Sequence, residues 1–202
     1  VSKYKQNEIY ILNKLRNNNL CVEIKDIFNN QYGSIIIMRY YPNSDLKKFY
    51  ITQNKYNLDI IIYNLILCIE SIHKLKIYHR DIKLENFIIR KLPNFKVLLS
   101  DFEMSTSNLY LNNKQGSLYY LPPEYFTYKN INNKKRDLWA LGIVIYYTIY
   151  KKFPFEGKTY NEIKKNIIYG NVIYNIKYKR YNFILDNLLQ KNAEKRKIIK
   201  YI

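Results

Sequence analysis

The sequence predicts an α+β fold in which two strands near the start are followed by a mainly helical remainder. Three observations support this prediction. Two short segments within the first 40 residues are rich in β-branched and apolar side chains, and a long segment at 58–75 has helical periodicity. A further segment at 137–150 is apolar almost all round, which is typical of a helix buried in the centre of a domain. Early strands followed by helices indicate α+β segregation along the chain.

The elements at the start of the chain follow from local patterns. Residues 7–16 carry apolar side chains at helical spacing and predict an amphipathic helix. Residues 21–28 and 34–40 predict two strands, joined by a turn at 29–33. A short helix is expected after Asp45, beyond the break in the pattern.

The rest of the chain is predicted to be mainly helical. Residues 58–75 predict a long helix with one buried face. Residues 77–90 alternate short apolar and polar stretches and indicate loop and strand, and 97–99 indicates one more short strand. Residues 100–123 show no sustained periodicity. Two or three shorter helices are expected after the buried helix that ends at residue 150.

Composition limits the class of protein. The net charge of +18 over 202 residues would suit a nucleic-acid partner. However, the lysines are scattered and Ile, Asn, Lys and Tyr are over-used throughout, so we interpret the charge as compositional and predict no nucleic-acid partner. Cys21 and Cys68 lie in apolar stretches, as expected of small core residues in a reducing compartment. No apolar segment is long enough to predict a membrane span. We therefore expect an intracellular protein, cytoplasmic or nuclear.

The segment Tyr78–Asn86 combines the residue types that phosphoryl transfer needs. An acidic residue must orient the attacking hydroxyl, and Asp81 suits that role. Lys83 can reach the same phosphate if the segment is extended, and Asn86 offers a neutral oxygen to Mg²⁺. A charged surface turn is the alternative for an isolated Arg-Asp pair. The full spacing of the motif favours the catalytic interpretation.

This segment resembles the catalytic loop of the eukaryotic protein kinase family, Ser/Thr type, and the resemblance covers nearly all of the chain. Further segments match the family in order. They are Ser100–Glu103, similar to the Asp-Phe-Gly element; Gly116–Glu124, similar to the end of the activation segment; 137–142, similar to the start of the central helix; and 153–155 and 191–196, similar to later helical subdomains. The resemblance implies a protein-kinase-like fold. Its mainly helical C-lobe would occupy 42–202, and a truncated N-lobe with an αC-like helix, two strands and the hinge would occupy 1–41.

The resemblance also implies roles for individual residues. The catalytic residues would be Asp81, Lys83 and Asn86, with Asn86 and Asp101 as metal ligands. The residues implied in binding ATP are Glu8 on the helix, Met38 at the gatekeeper position, Arg39 and Tyr41 at the hinge, Asp45 at the ribose, Ile88 and Asp101. Those implied around the activation segment are Arg80, Phe102, Glu103, Ser117 and Glu124.

Glu124 is expected to form a buried ion pair with Arg196, and an apolar stack is expected from Leu12, Ile24, His79 and Phe102. The implied cofactors are ATP and Mg²⁺. The implied substrate is a protein with Ser or Thr, since Lys83 and Ser117 match the Ser/Thr type.

Two features depart from the family pattern. The Gly-rich loop and the strand with the ATP-anchoring Lys should precede Glu8 by more residues than the chain has, and Lys3 and Lys5 lie too near Glu8 to substitute. A fragment, a truncated gene model and a degenerate paralogue are all open explanations. The second departure is Glu103, which stands where the family has Gly. Gly allows backbone angles that Glu reaches only at a cost, so we expect mild impairment there.

Three functional hypotheses follow. The first is a protein kinase that transfers the γ-phosphoryl of ATP to Ser or Thr, supported by the retained catalytic residues. The second is a pseudokinase or truncated kinase that acts as a protein-binding module, supported by the missing front strands. The third, a nucleic-acid-binding protein, depends on charge alone.

Overall fold

A computed structural model describes residues 3–30, 33–42, 45–52, 56–91, 95–111, 114–127 and 130–199. Contacts divide the chain into a first unit, residues 1–79 and 84–108, and a second unit, residues 80–83 and 109–202. The predicted division into lobes at residues 41 and 42 stays a prediction.

The first unit combines helices with two antiparallel hairpins. Its elements are α1 (Lys3–Leu15), β1 (Ile24–Asn30), β2 (Gly33–Met38), α2 (Leu46–Thr52), α3 (Leu58–Lys74), a 3₁₀ turn (Leu84–Asn86), β3 (Phe87–Arg90) and β4 (Lys96–Leu99). Strand β1 pairs with β2, and β3 pairs with β4. Each element predicted from the sequence in this part of the chain is present. Strand β1 extends into the predicted turn because Asn29 and Asn30 pair with Ser34 and Gly33, and the turn residues 31–32 lie outside the described residues.

Helix α3 forms the centre of the first unit. It begins where the Asn57 side chain accepts hydrogen bonds from the backbone N–H groups of Asp59 and Ile60, at 2.9 and 3.3 Å. Its buried face packs against β4, and the Cys68 thiol on that face donates to the carbonyl of Val97. Burial raises the pKa of Cys68 to about 12, so this thiol is a protonated core group. These contacts fix the β3–β4 hairpin, whose ends carry two predicted metal ligands.

The second unit is mainly helical. Its elements are β5 (Tyr110–Leu111), a 3₁₀ turn (Leu118–Tyr120), α4 (Pro123–Thr127), β6 (Ile131–Asn132), α5 (Asn133–Tyr150), α6 (Tyr160–Tyr169), a 3₁₀ turn (Ile176–Tyr178), α7 (Lys179–Leu188) and a 3₁₀ turn (Ala193–Lys195). The sequence predicted α5 and the shorter helices after it. It missed α4 and the β5–β6 pair, because segments of two to five residues carry no recognisable period.

Helix α5 is the core of the second unit. The Asn132 side chain caps its start by accepting from the N–H of Lys135, at 3.2 Å. Gly142 permits close packing of the chain at the end of α7, since a Cβ there would lie 2.7 Å from a methyl carbon of Leu189. Trp139 is fully buried and stacks on Phe155 with ring centroids 5.5 Å apart. The first turns of α5 are therefore held rigidly. Among the described residues, no helix has the length and apolar character needed to cross a bilayer.

Candidate active site

Three predicted site residues meet in the second unit. The Asp81 side chain is 7% exposed, and the Lys83 ammonium donates to its Oδ2 at 2.5 Å. The Ser117 hydroxyl donates to Oδ1 of the same carboxylate at 3.1 Å, from 36 residues further along the chain. Both carboxylate oxygens are thus engaged by donors, and an adjacent cation balances the charge. This arrangement suits a carboxylate that must accept a hydrogen bond in a fixed direction.

The backbone before Asp81 has a left-handed conformation. Arg80 has a φ of 70°, which costs a residue with a side chain about 1–3 kcal/mol unless its surroundings hold it. Its N–H donates, at 2.8 Å, to Oδ1 of Asp137, a buried residue in the second turn of α5. The sequence placed Asp137 only at the start of a buried helix. The structure shows that its carboxylate fixes the peptide next to the candidate catalytic residue.

The two predicted metal ligands belong to the first unit. The carbonyl of Asn86 accepts hydrogen bonds from the N–H and from the hydroxyl of Ser100, both at 2.9 Å. Because Ser100 precedes Asp101, these bonds bring the segments that carry Asn86 and Asp101 together. The Asn86 side chain is buried, whereas Asp101 is exposed and left-handed, with a φ of 64°.

An amide oxygen and a carboxylate are donors that suit Mg²⁺, which in phosphoryl-transfer sites keeps waters and substrate phosphates as its other ligands. Within the described part of the chain, no group of three or more His, Cys, Asp or Glu could hold a metal ion. Asn86 and Asp101 therefore fit a Mg²⁺ ion that arrives with a phosphate ligand, and do not form a closed all-protein metal site.

The four residues predicted to form an apolar stack lie in the first unit. Leu12, Ile24, His79 and Phe102 are all buried. The rings of His79 and Phe102 meet edge to face with centroids 5.1 Å apart. The His79 Nε2 atom lies 2.9 Å from the carbonyl oxygen of Ser100. These contacts hold the segment around Asp101 against His79, which lies two residues before Asp81 in the sequence.

Two of the residues predicted to bind ATP form a bridge in the first unit. Asp45 and Ile88 make an isolated antiparallel β-bridge, so two of the predicted nucleotide contacts are neighbours. The Asp45 carboxylate accepts from the N–H of Lys48 at 2.9 Å and so caps the first turn of α2. This side chain has a structural role whether or not nucleotide binds.

The predicted hinge is tied to Glu23. The Arg39 N–H donates to the Glu23 carbonyl at 2.8 Å, and the Glu23 N–H donates to the hydroxyl of Tyr41 at 3.1 Å. Hydrogen bonds from Lys25 and then from Arg39 lower the pKa of Glu23. Met38 ends β2 with its side chain exposed.

The remaining nucleotide candidate, Glu8, lies in the middle of α1 and is half-buried. The side chains of Lys3 and Lys5 lie outside the described residues. The assignment of Glu8 to nucleotide binding stays a prediction.

Glu103 corrects one expectation. The sequence predicted a backbone cost there because the family has Gly. In the described chain the non-glycine residues with positive φ are Lys76, Arg80, Asp101 and Lys151, so Glu103 is not among them. That prediction of strain was wrong, because the turn places its left-handed residue at Asp101, two positions earlier. What Glu103 adds is an exposed carboxylate close in sequence to a candidate metal ligand.

Glu124 and Arg196 form a buried bidentate ion pair in the second unit. The guanidinium nitrogens Nη1 and Nη2 donate to Oε1 and Oε2 at 2.5 and 2.7 Å. Glu124 lies in α4, at the end of the predicted activation segment, and Arg196 directly follows the last 3₁₀ turn. The pair therefore anchors the segment that begins with Ser117 to the end of the chain.

Comparison with known proteins identifies the family. The chain matches the family described as protein kinase domain over residues 2–202. The chain belongs to the protein kinase family. The match confirms the predicted protein-kinase-like α+β fold. It also covers every segment on which the resemblance was based.

Curated relatives of this kinase-family chain are serine/threonine kinases and other named kinases. It is 27% identical over 169 residues to the mitosis inducer protein kinase cdr1 of Schizosaccharomyces pombe, a match that covers 81% of the chain and 28% of that protein. It is 32% identical over 141 residues to the sperm motility kinase Z of Mus musculus, covering 67% of the chain and 28% of that protein. It is 30% identical over 158 residues to the serine/threonine-protein kinase SAPK3 of Oryza sativa subsp. indica, covering 75% and 47%. The chain thus spans between about a quarter and a half of these relatives.

Proposed function

We propose that this protein kinase domain transfers the γ-phosphoryl group of ATP to Ser or Thr hydroxyls of a protein substrate. The observation that carries the proposal is the Asp81 carboxylate, whose two oxygens are held by Lys83 at 2.5 Å and Ser117 at 3.1 Å. Phosphoryl transfer depends mainly on positioning and on charge stabilisation, and this cluster supplies a fixed acceptor beside a cation. The Ser/Thr kinases among the relatives support the same substrate class.

Each residue has a distinct task in the proposed reaction. Asp81 accepts a hydrogen bond from the substrate hydroxyl and directs its oxygen toward the phosphorus. Lys83 lies against the same carboxylate and places a positive charge where the transferred phosphoryl develops negative charge. Ser117 holds the carboxylate in the orientation that the hydroxyl requires. The buried Asp137 fixes the preceding peptide, so that the carboxylate does not swing away.

Asn86 and Asp101 would hold Mg²⁺, and Met38, Arg39, Tyr41, Asp45 and Ile88 would contact ATP. When bound, Mg²⁺ would supply positive charge that neutralises the phosphate groups during transfer. The hydrogen bonds between Ser100 and Asn86 keep the two ligand-bearing segments together before any ion binds. This pre-organisation reduces the entropy that ion binding would otherwise cost.

The decisive experiment replaces one carboxylate oxygen of Asp81 with an amide nitrogen. In the whole gene product, Asp81→Asn is expected to lower kcat by about 10²–10⁴-fold, because the amide is a poor proton acceptor. The Kd for ATP should change little, since Asp81 acts on the hydroxyl. Asp26→Asn, at an exposed position on β1, is the matched control and should leave kcat unchanged. Equal turnover of Asp81→Asn and the parent protein would refute the assignment.

A second candidate function is a protein-binding module without catalysis. It is favoured by the sheet formed by β1 and β2, where Phe28, Ile35 and Ile37 are exposed. Solvent-exposed apolar side chains on neighbouring strands suit a protein partner. A kinase assay separates the two functions, because a binding module should show no difference between the parent protein and Asp81→Asn.

A further inference from the structure

Arg136 is a buried cation that the motif comparison did not single out. It lies in the first turn of α5 and is 3% exposed. Burial, and then repulsion from Arg80, lower its pKa to about 10. The side chain therefore stays protonated at neutral pH, despite the cost of removing a charge from water. A buried charge is tolerated where hydrogen bonds compensate that cost, so its contacts indicate what it does.

The guanidinium joins two segments that are distant in sequence. Its Nη2 atom donates to the carbonyl of Arg80 at 2.6 Å and also to the carbonyl of Gln115. Arg80 immediately precedes Asp81, and Gln115 lies two residues before Ser117. Nη2 of Arg136 thus links the backbone next to Asp81 with the backbone near Ser117, and the side chains of Asp81 and Ser117 are hydrogen-bonded to each other.

Arg80 is held on both sides by consecutive residues of α5. Its N–H donates to Asp137, and its carbonyl accepts from Arg136. These two bonds oppose relaxation of the left-handed backbone at Arg80, which has a φ of 70°. Release of either bond would let the peptide rotate and move the carboxylate of Asp81 with it.

Gly116 makes room for this link. Its φ is 122°, a conformation that residues with a side chain rarely adopt. A Cβ at this position would lie 2.5 Å from Nη2 of Arg136, which is too close for non-bonded atoms. The absence of a side chain at Gly116 thus leaves the space that the guanidinium of Arg136 occupies when it donates to the carbonyl of Gln115.

We propose that Arg136 is a positioning residue that holds the backbone of Arg80 and Gln115 together and so keeps the Asp81 carboxylate aligned with the Ser117 hydroxyl. The catalytic part of this inference rests on the proposed function, whereas the structural part does not. The alternative is that Arg136 only contributes to the general stability of α5. The two explanations predict different consequences of removing the guanidinium. A positioning role predicts faster exchange near Ser117 only, whereas a role in general stability predicts faster exchange in distant helices as well.

Hydrogen exchange of the 202-residue chain, read by mass spectrometry or NMR, tests the structural part. The reporters are the amides of Tyr120 and Leu121, which donate to the carbonyls of Ser117 and Leu118. In Arg136→Met, which keeps the apolar stem and removes the charge, these amides should exchange at least about tenfold faster, as expected for loss of hydrogen bonds from a charged group. The amide of Ile163, which donates to Thr159 in α6, should be unaffected.

Two further variants complete the exchange experiment. Arg136→Gln retains an amide donor and should exchange at a rate between those of the parent and Arg136→Met. Lys134→Met removes an exposed positive charge from the same turn of α5 and should exchange like the parent. Unchanged exchange at Tyr120 and Leu121 in Arg136→Met, or equal acceleration at Ile163, would overturn the positioning role. Loss of structure in both Arg136 variants would overturn it too, because it would assign the residue to general stability.

Kinetics of the whole gene product test the catalytic part. Arg136→Met should lower kcat by about a hundredfold, the loss expected from misplacement of a reacting group by about 1 Å. The KM for ATP should stay the same, because the displaced groups act on the hydroxyl. A change confined to KM would overturn the catalytic part. If the parent protein has no kinase activity while the exchange pattern is as expected, the proposed function fails and the structural link stands.

Discussion

Removal of the Glu124 carboxylate is predicted to destabilise the second unit strongly. Glu124 and Arg196 are 6% and 1% exposed, and two hydrogen bonds of 2.5 and 2.7 Å join them. Arg196 also donates to the carbonyl of Gln190 at 2.7 Å, and its guanidinium carbon lies 4.9 Å from the centre of the Trp139 ring. In Glu124→Gln these neighbours remain, but the buried guanidinium loses its counter-charge.

The expected loss follows from the burial of both partners. Removal of one member of a buried ion pair costs about 3–5 kcal/mol, since the other charge is left without compensation. Glutamine keeps one acceptor oxygen, so we expect the lower end, about 3 kcal/mol. In a chain of this length each kcal/mol corresponds to about 2–4 °C, which predicts a fall in Tm of about 6–12 °C. The double variant Glu124→Leu with Arg196→Met should recover most of the loss, because an apolar pair has no charge to desolvate.

Urea unfolding followed by the fluorescence of Trp139 measures this effect. Trp139 is the only tryptophan in the sequence and is fully buried beside Arg196, so its emission reports on the second unit. Glu194→Gln is the matched control, because Glu194 is exposed and its replacement should change the free energy of unfolding by less than about 0.5 kcal/mol. If Glu124→Gln lost less than about 1 kcal/mol, the pair would behave like a surface ion pair and the reasoning from burial would be refuted.

Three further predictions concern nucleotide binding and pH. Glu103→Gly should change Mg·ATP affinity or activity by no more than about tenfold, since Glu103 is exposed and not left-handed; abolished activity would instead make Glu103 a recruited ligand. These 202 residues by themselves should bind Mg·ATP no more tightly than about 1 mM by calorimetry, because residues 1–7 contain no glycine that could form a loop over the phosphates; micromolar binding would contradict this. Burial, and then Arg196, lower the pKa of Lys191 from 10.5 to about 8. Between pH 8 and 10.5 the folded chain binds fewer protons at Lys191 than the unfolded chain, so the free energy of unfolding rises with pH in this range. Below pH 8 Lys191 is protonated in both states, and the full cost of burying its charge lowers the stability of the fold. Lys191→Met should remove that rise in urea unfolding, and an unchanged pH slope would refute it.

The sequence by itself determined the elements and the motif that depend on local patterns. Helix α3 was predictable because its apolar residues recur at helical spacing over several turns, and α5 because a long segment is apolar on almost all sides. The family resemblance followed from the order and spacing of short motifs, above all Asp81, Lys83 and Asn86, since fixed spacing is a property of the sequence itself. Short elements such as α4 escaped prediction because five residues do not show a period.

Only the tertiary structure decided which distant residues meet around those motifs. The contact of Ser117 with Asp81 and the link from Arg136 to Gln115 depend on how the chain returns to α5, which no local period encodes. The left-handed residue of the turn likewise lies at Asp101 and not at Glu103. Sequence patterns report neighbours within a few residues, whereas a buried guanidinium takes whichever carbonyl oxygens the packed core brings within hydrogen-bonding distance.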